Sequence, residues 1–242
     1  MRNKVSYYLL APILYFQGRR VQRSIPRLPE PPGQRSGAVG AGSLIRLLIV
    51  GDSAAAGVGA PDLDSALPGH LVSQLSQQYK VEWKLIAKTG ATTELILRRL
   101  KKQATASFHI AVTSLGVNDA TAGIPCKEWL RQQAELRQTL RDKFNVSRIF
   151  VSGLPPVGRF PALPQPLRWY LGQRAREFDN AIRGDLENEE GSTYIDLRFT
   201  DDAGLMASDG FHPGPEIYRG WASKIYEEFL RLESMHRFLT NA

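Results

Sequence analysis

The chain has 242 residues, 43% hydrophobic and 23% charged, which is enough for one domain with a buried core. A single cysteine, Cys126, excludes an intrachain disulfide framework and a multi-cysteine metal site. The net charge of +7 is concentrated: residues 1–43 hold seven of the 31 basic residues and one of the 24 acids, leaving 24 basic and 23 acidic groups beyond them, and so near-neutral a body argues against a nucleic-acid partner.

Residues 5–16 (VSYYLLAPILYF) are apolar and uncharged. They are too few to span a bilayer as a helix, which takes about 20 residues, and Pro12 interrupts them. Arg2 and Lys4 precede the run, and Arg19, Arg20 and Arg23 follow it. Cations on both sides of an apolar stretch suit an interfacial anchor on anionic lipid. A packed N-terminal arm and a signal segment are the alternatives. Peripheral membrane contact through residues 1–27 is the partner expectation. Residues 26–43, rich in Pro, Gly, Ser and Ala, read as a linker. A lone cysteine leaves the compartment open; a cytoplasmic or peripherally membrane-associated placement is favoured, with export the alternative.

From residue 44 the pattern alternates. Short apolar runs at 44–50, 81–87, 108–115, 148–154 and 193–197 read as strands. Helical spacing appears at 67–79, 91–102, 125–144, 167–189 and 215–232, with Thr92 or Thr93 available to cap the second of these. No internal repeat is present. The expectation is α/β: one domain over 44–242, a three-layer α/β/α sandwich with a mostly parallel, five-stranded sheet.

In open α/β sheets ligands bind beyond the carboxyl ends of the strands. The first strand is followed by Gly51-Asp52-Ser53-Ala54, the second by Thr89-Gly90-Ala91-Thr92, the third by Gly116-Val117-Asn118-Asp119, and the fifth, after a loop, by Asp209-Gly210-Phe211-His212. A serine hydroxyl needs an adjacent base to act as a nucleophile, and a neutral imidazole serves near pH 7. His212 is the candidate base for Ser53, and Asp209, three residues earlier, can accept its second N–H. His70, His109 and His236 lie in a helix, an apolar strand and near the C-terminal end, where structural or surface roles suit them better. Asp201 and Asp202 are weaker candidates for the acid than Asp209. Singly, each segment reads equally well as an ordinary turn or capping pair.

Together and in this order, the four segments resemble the blocks of the SGNH (GDSL-like) hydrolase superfamily over residues 44–236. Ala54 stands where the GDSL signature has leucine, a departure at the least chemically committed position. The resemblance implies a flavodoxin-like fold, a catalytic triad of Ser53, Asp209 and His212, and an oxyanion hole from the backbone N–H groups of Ser53 and Gly90 with the side chain of Asn118. It implies no cofactor and no metal, and no His/Cys/carboxylate set here has metal-ligand spacing. A phosphate loop, a dinucleotide fingerprint and a GxSxG elbow are all missing.

Five prolines between Pro155 and Pro166 predict a stiff loop without helix or sheet, leaving the fourth strand on the active-site side. Phe160 and Leu163 on it are candidates to wall an acyl-binding groove; a rigid surface connector is the alternative. The expected reaction is hydrolysis of carboxylic esters through an acyl-enzyme, on lipid, lysophospholipid-like or thioester substrates. A carbohydrate O-acetyl esterase with the same triad is the alternative, and a non-catalytic binding module is disfavoured by the intact set of five residues.

Overall fold

The apolar runs pair into one sheet. The computed structural model describes residues 2–198 and 202–240. Among them are six strands: β1 (Ser36–Val39), β2 (Leu44–Gly51), β3 (Lys80–Ala87), β4 (Ile110–Ser114), β5 (Arg148–Ser152) and β6 (Ser192–Ile195), in the order β1-β3-β2-β4-β5-β6. The last five in that order are parallel neighbours, and only β1 runs antiparallel, along the outer edge of β3. The sheet therefore has one strand more than the five expected.

That extra strand comes from the segment read as a linker. SGAV is short and without alternating polarity, so nothing in its pattern marks it. It is held from outside the strand as well: the N–H of Leu85 donates to the Arg35 carbonyl (2.7 Å) and the Arg35 guanidinium donates to the Ala87 carbonyl (2.7 Å).

Helices cover both faces, as expected for parallel strands joined by crossovers. Side chains alternate across β2: Leu48 and Val50 face one core, Ile45, Leu47 and Ile49 the other. The first core is closed by α3 (Thr93–Lys102), α5 (Cys126–Phe144) and α6 (Leu167–Leu186), the second by α2 (Leu67–Leu75) and α7 (Pro215–Thr240). Thr92 caps α3, its hydroxyl accepting from Leu95 N–H. The chain winds from β2 to β3 on one side and returns to β4 on the other. This puts the topological switch, where a ligand crevice forms, between the ends of β2 and β4.

The N-terminal α1 (Arg2–Ser24) runs through Pro12. The residue expected to break the run is accommodated because it lies exposed, where water can serve the carbonyl it leaves without a helical partner. The helix rests on α6: Leu14 and Val21 pack on the first core, and the Gln17 side chain donates to the Gln165 carbonyl (2.7 Å) and accepts from Leu167 N–H (3.1 Å). Among the described residues, no helix is long and apolar enough to cross a membrane.

Candidate functional site: four strand ends meet at a cleft

β2 ends at Gly51, wedged between β3 and β4; a Cβ there would lie 2.5 Å from the Ser114 carbonyl oxygen. The next residues coil immediately, with Ala56 N–H donating to the Asp52 carbonyl and Val58 N–H to that of Ser53. Ser53 is thereby lifted to the sheet's rim and left only 8% exposed.

His212 reaches it from a loop folded back on itself. Met206 bridges Pro213, and Ala207 N–H donates to the His212 carbonyl (2.9 Å). The loop can approach because Gly59 has no side chain: a Cβ there would sit 2.3 Å from the Pro213 carbonyl oxygen. The Ser53 hydroxyl lies 2.9 Å from His212 Nε2, and His212 Nδ1 lies 2.6 Å from Asp209 Oδ2. The other Asp209 oxygen accepts from the backbone N–H groups of Phe211 and His212 (2.9 Å each). Burial alone would raise the Asp209 carboxyl; the hydrogen bonds from the His212 ring and the two backbone N–H groups outweigh it and hold the group below the usual carboxylate range. An ionised Asp209 keeps the proton on Nδ1, which leaves Nε2 as the acceptor facing Ser53.

The third strand end divides its work. Gly116 takes φ 140°, where a Cβ would press on Trp129 and Leu154, and the short helix α4 (Val117–Thr121) starts directly after it. Asn118 then points at the serine turn and Asp119 into the core. The Asn118 amide donates to Asp52 Oδ2 (3.2 Å) and to the Ala91 carbonyl (3.0 Å). Asp119 is fully buried and accepts from the backbone N–H (3.1 Å) and hydroxyl (3.1 Å) of Thr93 at the start of α3. One motif thus supplies a cleft residue and locks the neighbouring helix.

Gly90 occupies a turn closed by Ala91 N–H on the Lys88 carbonyl (3.0 Å), with φ 75°. The positive φ is what calls for glycine here; a Cβ would meet nothing within 4 Å. Among the described residues neither the Ser53 N–H nor the Gly90 N–H has a protein acceptor.

The serine turn, the Asn118 turn, the proline-rich loop and the His212 loop frame an open cleft, which the Gly90 turn does not line. Its floor carries Asp52, Ser53, Asn118 and His212, and its walls are mostly apolar, among them Leu115, Val117, Leu154, Phe160, Met206 and Ile217. The GDSL-like lipase/acylhydrolase family matches residues 49–219. The chain belongs to that family. It is an ester hydrolase in the general sense the family name carries. No curated protein matches it. Solved structures with a similar fold include a lipolytic G-D-S-L family member from Veillonella parvula DSM 2008 (15% identity, 77% of this chain and 99% of that one, TM-score 0.61). The Clostridium thermocellum family 3 carbohydrate esterase is comparable (15% identity, 78% and 98%, TM-score 0.61). So is the psychrotrophic esterase EstA from Pseudoalteromonas sp., in a structure inhibited by monoethylphosphonate (20% identity, 78% and 98%, TM-score 0.55).

In this GDSL-like chain the proline-rich loop folds in two ways that its sequence conceals. It contains a short 3-10 turn, Val157–Arg159, where the proline density predicts neither helix nor sheet. Its two candidate wall residues also part company. Phe160 lines the cleft and meets Phe211 edge-on, ring centroids 5.3 Å apart. Both are buried in the first core, but Leu163 does not line the cleft; the chain turns inward after Phe160, with Ala162 N–H donating to the Gly210 carbonyl (3.2 Å). Asp202 lines the cleft, while Asp201 lies outside the described residues. Asp52, to which the sequence pattern assigns no role, is a buried carboxyl beside the serine. Among the described residues no cluster of three or more potential metal ligands occurs.

Proposed function

We propose that the protein hydrolyses carboxylic esters with a substantial acyl chain, with Ser53 as nucleophile, His212 as base and Asp209 as the group that orients it. The observation that carries this reading is the continuous chain of short contacts from buried Asp209 through His212 to Ser53, opening onto an apolar cleft. Ser53 Oγ bonds the ester carbonyl carbon as its proton passes to Nε2. The oxyanion is received by the unpaired N–H groups of Ser53 and Gly90. Asn118 joins them by sharing the proton it directs at Asp52, the longer of its two bonds. Collapse expels the alcohol, which takes the proton from His212 and leaves an acyl ester on Ser53. Water then repeats the cycle and releases the carboxylic acid.

The apolar walls favour an acyl chain over a polar glycan, so a carbohydrate O-acetyl esterase is the second reading. Turnover of p-nitrophenyl esters from acetate to palmitate separates the two. A preference for medium or long chains, abolished in Ser53→Ala by about 10⁴-fold or more, is the expected result. Asp209→Asn should lower kcat by about 10⁴-fold, through the wrong imidazole tautomer, without unfolding the chain. Activity confined to acetate, together with turnover of acetylated sugars, would support the second reading. Hydrolysis that persists in Ser53→Ala would remove the assignment of the nucleophile.

A further inference from the structure

We infer that the outer face of α1 is a docking surface for an anionic phospholipid bilayer. The helix has an inner and an outer side. Leu10, Leu14, Gln17 and Val21, spaced at three and four residues, turn towards the body. Tyr15 and Phe16 point away, 63% and 71% exposed, with Ile13 at 47%. Their rings meet edge-on, centroids 5.8 Å apart.

Exposed apolar side chains gather here to an unusual degree. Six large hydrophobic residues are exposed among the described residues. Three are on α1, and a fourth, Trp169, lies on the first turn of α6, the turn to which Gln17 is tied. A grouping of this kind marks an interaction site rather than chance exposure.

Charge selects the occupant. Arg19, Arg20 and Arg23 are exposed on the same helix, one to two turns after the aromatic pair, and Arg27 follows. No acidic residue precedes Glu30. Aromatic side chains beside a cationic stretch, on a helix that cannot span a bilayer, form the pattern that lies in a lipid headgroup layer and is held there by anionic lipids. The position also has a consequence for the cleft. α1 sits on the end of the loop whose earlier part, Pro155 to Phe160, forms a cleft wall.

The test is co-sedimentation of the full chain with vesicles, which needs no turnover and so stands apart from the assignment of Ser53. Vesicles of phosphatidylglycerol and phosphatidylcholine should bind the protein, more weakly as salt is raised; vesicles of phosphatidylcholine alone should bind it about tenfold less or not at all. The double variants Tyr15→Ser/Phe16→Ser and Arg19→Glu/Arg23→Glu should each reduce binding by about tenfold or more, while turnover of p-nitrophenyl acetate, a monitor of the folded body, stays unchanged. Ser53→Ala should bind as wild type. Failure to bind anionic vesicles, or binding that survives both double variants, would overturn the inference. So would a dimer, dissociated by Tyr15→Ser/Phe16→Ser, in a chain that ignores lipid, since the face would then belong to a second copy.

Discussion

Asp52 stands one position before the nucleophile candidate and is buried at the floor of the cleft. Burial raises its carboxyl to about 7; the Ala54 N–H opposes that rise, and the charge of Asp119 adds to it. In the unfolded chain the same group loses its proton near 3.8. Between those values the native state holds the extra proton, so this residue makes stability fall as pH rises from about 4 to 7, and the loss is complete above the folded value. Asp52→Asn removes the titration. The variant's unfolding midpoint relative to wild type should therefore climb between pH 5 and pH 8. Asp119, also raised by burial, is present in both proteins; because the two carboxyls repel one another, Asp52→Asn also eases its ionisation, which acts in the same direction as the predicted climb. Asparagine also turns an N–H₂ towards the Asn118 amide or the Ala54 N–H, and that mismatch appears as a constant offset at every pH. A difference that does not change with pH would show that Asp52 does not titrate in this range.

At the scale of elements, the proline-rich loop is a wall fixed at both ends. Near its start, buried Asp179 accepts from Leu154 N–H (2.9 Å) and the Tyr194 hydroxyl (2.6 Å). Further on, Phe160 leans on Phe211, which lies against the His212 ring. Phe160→Ala should lower kcat/KM for p-nitrophenyl octanoate roughly tenfold relative to acetate, because a wall contact worth about 1–3 kcal/mol is available only to the longer chain. Leu163→Ala should cost about 2–5 kcal/mol of stability, as a core truncation, and leave the octanoate-to-acetate ratio unchanged. Phe160 belongs to the same buried core, so its truncation lowers stability as well, and the two-ester ratio is the readout that separates the wall residue from its neighbour. This pair also shows where the sequence stops being informative. Ser53 and His212 stand out as an alcohol and a base after strand ends, Gly90 and Asn118 only through the family resemblance, and topology brings Ser53, Asn118 and His212 to one cleft. Phe160 and Leu163 sit three residues apart in a segment without period, so only tertiary contacts distinguish them. β1 escapes for a related reason: four small residues at an edge carry no alternation. α1 escapes because a proline inside a helix reads as a break until its surroundings are known to be solvent.

For the molecule as a whole, residues before β2 fall into two parts with different consequences. α1 touches the body along one stripe, whereas residues 30–39 are woven into it. Glu30 accepts from both the N–H and hydroxyl of Thr89 (2.8 Å each) and from Arg35 (2.8 Å). Burial would raise its carboxyl, but these partners hold it below the usual range. Thr89 adjoins Gly90, so the segment braces the turn that presents a proposed oxyanion donor. β1 meanwhile covers the outer edge of β3, which would otherwise offer unpaired backbone groups to another chain. A chain beginning at residue 26 should keep its turnover of p-nitrophenyl acetate and lose only a little of its unfolding midpoint, through the Leu14 and Val21 contacts with the first core. A chain beginning at residue 44 should aggregate or unfold at lower temperature, having lost both cover and brace. Glu30→Ala isolates the brace: β1 stays paired, the midpoint moves little, and kcat falls by up to about 10²-fold through displacement of Gly90, with Glu30→Gln recovering part of it through its remaining acceptor oxygen. Equal activity of the chains beginning at 26 and 44 would show that residues 26–43 are the linker their composition suggests.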